Sequence, residues 1–182
     1  MNQQNLAPPP VPRASFLLAR MSTGIAVLTW IFCALAIAVP ISVLYLAPEM
    51  WMSLVLAAII WGVCRFVWSF YRPKYFEVLP DGLQIVWPWR SMFIPSEEIT
   101  EIVPMSKEDL GLVIRTWGAG GLWGGFGKHW SRKIGHMLIY ASRSDKLVCI
   151  RRVGKRPILI TPEDCEEFIA AVRKSIPAEG GG

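Results

Sequence analysis

Two long apolar runs dominate the hydrophobic pattern. From Gly24 to Ala47 the chain carries no charged side chain, and from Met50 to Tyr71 Arg65 is the only one. A bilayer core is crossed by about 20 helical residues, so each run predicts a membrane-spanning helix. Only Ala47, Pro48 and Glu49 stand at the junction, which predicts a tight antiparallel hairpin. Pro40 is expected to kink the first helix, as membrane helices tolerate. Arg65, about two turns before the end of the second run, is expected to snorkel to the headgroups as an interface anchor. Small residues, Ala34 and Ala38 on one run and Ala58 and Gly62 on the other, are expected to let the helices approach.

After Tyr71 the period changes. KYFEVL and LQIVW flank Pro80-Asp81-Gly82, a turn in which proline presets one angle and glycine accepts another. SMFIP, ITEIVPM and LGLVIRTW follow, then HMLIYASR, KLVCIRRV and RPILIT, separated by short polar turns. Short strands so closely spaced predict an antiparallel β-barrel or sandwich of about seven strands. The closing segment TPEDCEEFIAAVRKSI reads as an amphipathic helix. Thr161 suits an N-cap and Pro162 the first helical position, while Cys165, Phe168, Ile169, Val172 and Ile176 share one face. The expected organisation has a flexible tail and interfacial lead-in (ASFLLAR) over 1–23. A membrane hairpin over 24–71 (24–47 and 50–71) follows, then a β-domain over 73–177 and a disordered tail over 178–182.

Composition supports this division. The chain is 53% apolar and 18% charged, against about 25% charged in ordinary soluble domains. Arg13 and Arg20 precede the apolar runs, Arg72 and Lys74 follow them, and the junction has no cation. Positive flanks stay in the cytoplasm, so both termini are expected there, with Arg72 and Lys74 as further interface anchors. Ala34, Ala36 and Ala38 resemble a signal-cleavage pattern, but hydrophobicity continues past them and a second run follows, which favours retained helices. The four cysteines, Cys33, Cys64, Cys149 and Cys165, form no CxxC pair, and no metal is expected.

Candidate chemistry concentrates in RTWGAGGLWGGFGKHWSRKIGH, residues 115–136. It is not a P-loop, because His129 follows Gly127-Lys128 and Leu122 takes the earlier glycine position. It is not a dinucleotide turn either, because Trp123 and Trp130 replace the third glycine in both candidate registers. His129 and His136 lack carboxylate or cysteine companions at ligand spacing, and Ser131 lacks a nucleophile-elbow context. No cofactor and no catalysis are expected. The segment reads as a loop in which Trp117 covers the open end of the barrel while Trp123 and Phe126 are exposed. Trp123, Phe126 and Trp130, flanked by Lys128, Arg132 and Lys133, then form a contact surface for a partner or for lipid.

YFEVLPDGLQI, RTWGAGGLWGGFG and ILITPEDCEEFI together resemble the bacterial pleckstrin-homology (PH) domain proteins, many of which carry membrane helices before the PH-like domain. The resemblance implies an α+β membrane protein of the bacterial inner (cytoplasmic) membrane. It would be a two-helix transmembrane hairpin followed by a PH-like barrel closed by a C-terminal helix. It also implies a noncatalytic role, binding or scaffolding a membrane protein partner or forming a homo-oligomer, and supplies no catalytic residues. Eukaryotic PH domains often hold inositol lipids through cations in the first hairpin, but here Glu77 and Asp81 stand without Lys or Arg. General attraction to anionic headgroups through Lys128, Arg132 and Lys133, or through Arg151, Arg152, Lys155 and Arg156, gives peripheral lipid sensing as the alternative. An accessory subunit with a small-molecule pocket is a second alternative. A net charge of +5 does not argue for nucleic acid.

Overall fold

A computed structural model describes residues 14–46, 50–120 and 124–175. The first element is a strand, β1 (Ala14–Leu17), where an interfacial lead-in was expected. Its alternation explains this: Phe16 and Leu18 are buried while Ser15 and Leu17 face out. Two helices, α1 (Thr23–Leu46) and α2 (Met50–Tyr71), then occupy the apolar runs. Each contains a 21-residue stretch long and apolar enough to cross a membrane.

The helices pack together. A covered stripe includes Thr29, Cys33, Ala36 and Pro40 on α1 and Ser53, Ala57, Ile60 and Cys64 on α2, close to a repeat of about 3.5 residues. Ala34, Ala38, Ala58 and Gly62 instead face outward, so the expected small-residue contact is corrected to this neighbouring stripe. Arg65 also faces out. The junction at 47–49 lies outside the described residues.

The chain returns through β2 (Tyr75–Leu79), β3 (Gly82–Val86) and β4 (Ser91–Pro95), an antiparallel meander. β1 adds to its free edge, pairing Leu17 with Tyr75 and Phe16 with Phe76, in the order β1-β2-β3-β4. A second sheet contains β5 (Ile99–Met105), β6 (Val113–Gly120), β7 (Gly125–Ser131), β8 (Gly135–Ala141), β9 (Leu147–Arg152) and β10 (Lys155–Ile160). Its order is β5-β9-β10-β8-β7-β6. One pair, β8 with β10, is parallel, a departure from the all-antiparallel expectation. It arises because the chain leaves β8, crosses to β9 beyond β10, and then fills the gap by a hairpin.

The two sheets and α4 (Cys165–Ser175) enclose the main core, with Phe76, Val78, Ile85, Ile150, Ile158, Phe168 and Val172 fully buried. A short helix, α3 (Lys107–Leu110), connects the two edge strands of the larger sheet and lays Leu110 over Met137, Ile139, Cys149 and Leu159 on the other face. At α4 the cap differs from expectation. Asp164 Oδ1 accepts the Glu166 and Glu167 amides (3.1 and 3.0 Å), while Thr161 is fully buried and its hydroxyl accepts the Ser142 amide (3.0 Å). Ile176 lies outside the described residues.

Thr161 and Ser142 anchor the segment between β1 and α1. The Ala19 amide donates to Thr161 O (2.8 Å), the Ser142 hydroxyl donates to Ala19 O, and the Glu163 amide donates to Leu17 O (2.9 Å). The helix pair therefore leaves and rejoins the same end of the β-domain.

Candidate interaction surface

The glycine-rich segment is a hairpin, not a loop. β6 and β7 pair Ile114 with Trp130, Arg115 with His129, Trp117 with Lys128 and Gly118 with Gly127. Between Arg115 and Trp117 β6 carries one extra residue, Thr116, whose hydroxyl donates to Lys128 O (3.0 Å). This bulge resets the side-chain alternation. It brings Trp117 onto the same face as Ile114, Lys128 and Trp130, where strict alternation would have turned it away.

Exposure along that face reverses two expectations. Trp117, expected to cover the core, is 70% exposed, and Ile114 is 49% exposed. Phe126, expected to be exposed, is 0% exposed and packs in the main core with Tyr140 and Trp87. The reason is position along the strand: the Phe126 end lies beneath the smaller sheet, whereas Lys128 is exposed and Trp130 half-buried beyond its cover. Trp123 lies outside the described residues.

Arg132 and Lys133 do not join Trp117. They occupy the β7–β8 turn at the far end of the hairpin, where Lys133 Nζ donates to Glu108 O (2.8 Å). A loop over residues 123–133 could fold back and gather these side chains into one patch. A strand rises about 3.3 Å per residue and keeps its ends apart. Lys133 instead meets Arg151, Arg152 and Lys155 around a shallow groove of about 420 Å³ at the end of β10 away from Thr161. Two of those cations are already paired, Arg151 with Glu101 (3.2 Å) and Lys155 with Glu98 (2.6 Å).

The opposite face of β7 is structural. Ser131 is fully buried and donates to Leu110 O (2.6 Å), fixing α3 to the turn. His129 is buried with Nδ1 3.2 Å from Gly127 O, and burial holds its pKa below the ordinary value. Protonation therefore favours the unfolded chain. As pH falls below about 6.5, the unfolded value, His129 should subtract stability, and the loss should level off below the folded pKa. Urea midpoints of wild type and His129→Gln between about pH 7.5 and 5 are expected to converge on acidification. Parallel curves would remove His129 from the pH dependence.

A second aromatic cluster, missed from sequence, lies where α2 meets the β-domain. The β3–β4 turn reads Trp87-Pro88-Trp89-Arg90. Trp87 is buried, donates Nε1–H to Tyr71 O (3.0 Å) and meets Tyr140 edge-on (5.0 Å between centroids). The Arg90 guanidinium sits over Trp87 (4.4 Å) and Phe70 (5.6 Å), and that of Arg72 over Trp68 (4.3 Å). Trp89 is 76% exposed. The WPWR quartet, two tryptophans and a cation in four residues, is the signal that would have found it. β6 also approaches α2.

Residues 74–176, more than half of the chain, match the family model of the bacterial PH domain. The chain belongs to the bacterial PH domain family. No curated protein and no solved structure matches it. The match indicates a PH domain and no enzyme family. The matched region begins at Lys74 and leaves out β1, although β1 completes the smaller sheet of this PH domain. In its first hairpin, β2–β3, Glu77 pairs across from Gln84 and no cation is present.

Proposed function

We propose that this PH domain is a noncatalytic module, anchored in the bacterial inner membrane by α1 and α2, that docks a membrane protein partner or a second copy. The observation that carries the docking is the face aligned by the Thr116 bulge. Ile114, Trp117 and Trp130 stand beside Lys128 on an edge hairpin next to α2. An exposed tryptophan on the edge strand β6, with a half-buried one beside it on β7, suits a protein interface, where such residues supply most of the binding energy. The anchor is supported by the length of the helices and by the return of both flanks to one end of the domain. With Arg20 before the pair and Arg72, Lys74 and Arg90 after it, that end favours the cytoplasmic side.

The test is affinity purification of the full chain from its own membranes in mild detergent, beside Trp117→Ala/Trp130→Ala. A stoichiometric companion, or a dimer mass, is expected with wild type and is expected to weaken at least roughly 30-fold in the variant. Recovery of a monomer alone from both would overturn the docking role.

A further inference from the structure

We propose that the groove where α2 enters the β-domain binds the phosphate of an anionic lipid headgroup. This groove encloses about 540 Å³ and is lined by Trp68, Arg72, Pro73, Lys74 and Pro88. Among the described lining residues two are cations and none is acidic. Among the described residues, neither Arg72 nor Lys74 forms an ion pair with a carboxylate. Arg72 is half-buried. A guanidinium partly removed from water without a counter-charge is an unfavourable arrangement, which an arriving anion relieves.

The contacts of Arg72 favour phosphate. Its guanidinium carbon lies over the Trp68 ring, 4.3 Å from the centroid. The N–H donors lie in the guanidinium plane and remain available as a fork for two phosphate oxygens, with Lys74 as a second point charge. Burial lowers the Arg72 pKa, in keeping with a partly dry site.

Position assigns the phosphate to lipid. The groove lies at the last turn of α2, whose other flank carries exposed Phe66 and Phe70, and next to Pro88 the chain continues into exposed Trp89. These rings mark the height at which aromatic side chains meet headgroups, and the apolar flank of α2 above them suits acyl chains. The site lies at the open base of the first PH hairpin, where the Lys74 amide donates to Val86 O (2.7 Å), at the end away from its cation-free turn, and it shares no lining residue with the Trp117 face. It rests on the membrane-spanning reading of α1 and α2, which alkaline extraction tests separately: an anchored protein stays with the membrane pellet.

The experiment is native mass spectrometry of the full chain released from detergent containing equal phosphatidylglycerol and phosphatidylcholine. Wild type is expected to retain phosphatidylglycerol about tenfold over phosphatidylcholine, the scale of one lost charge-assisted hydrogen bond. Arg72→Gln/Lys74→Gln should approach parity, while Lys107→Gln/Lys174→Gln, which removes equal charge from exposed positions elsewhere, should keep the preference. No preference in wild type, or equal loss in both double variants, would overturn the proposal. An Arg72-dependent adduct with inorganic phosphate alone, without lipid preference, would overturn the lipid assignment. If the groove variant does not fold, Arg72→Lys replaces it. That change keeps the charge but loses the planar fork of donors, so a reduced preference supports the site and an unchanged one overturns it.

Discussion

A chain shortened to begin at Lys74, where the family match starts, is expected to lose cooperative folding even though it keeps every residue of the matched region. The cause is β1. Phe16 lies edge-on to Phe168 (5.3 Å between centroids), which in turn meets Phe76 (6.1 Å), so one aromatic triad joins the pre-helix strand to β2 and α4. Truncating a buried phenylalanine to alanine costs about 3–5 kcal/mol. Domain stability is only about 5–15 kcal/mol in total. Removing the strand also strips the backbone partners of β2, leaves the buried Ser142 hydroxyl without Ala19 O as acceptor, and leaves Thr161 O without the Ala19 amide. Thermal unfolding followed by tryptophan fluorescence, with limited proteolysis, reads the outcome. In the full chain Phe16→Ala is expected to lower the midpoint by on the order of 15 °C or more. A shortened chain that melts at the full-length temperature would make β1 an accessory.

Which features were legible in the sequence depends on how far each one's cause lies from it along the chain. The two helices and α4 follow from local periodicity, and β2, β3 and β4 from short apolar runs with turn residues between them. β1 did not, because its partner begins at Tyr75, beyond both helices, and ASFLLAR alone fits an interface as well as a strand. β7 was hidden by its own glycines. GFGKHWS has the composition of a loop until Gly127 is set opposite Gly118, where the missing side chains become a requirement of pairing. The exposure of Trp117 follows from a single extra residue at Thr116, and the burial of Phe126 from the sheet lying over it. Neither is present in residue order. Lys128 and Trp130 share the exposed face in either reading, whereas Arg132 and Lys133 join them only in a loop and not in a hairpin.

Substituting Gly127 by valine is expected to destabilise the domain by about 3 kcal/mol or more and to open the hairpin that presents Trp117. Two costs combine. Gly127 has φ +120, a conformation that a β-branched residue strongly resists, and its absent Cβ points at Trp117 O. Gly118, at φ +125, faces Phe126 O in the same way, so neither backbone can move aside without breaking ladder bonds. Gly154→Ala separates the two effects. Its φ is +61, but nothing lies within 4 Å of the Cβ position, so only the conformational cost of about 1–2 kcal/mol should appear. Urea midpoints of the three proteins give the comparison, and hydrogen exchange at Arg115–Gly118 shows where the structure opens. Equal midpoints for the two variants would mean that the strands tolerate separation at Gly118 and Gly127. The Trp117 face would then be presented by a flexible hairpin, and the close glycine pair would not be what aligns it.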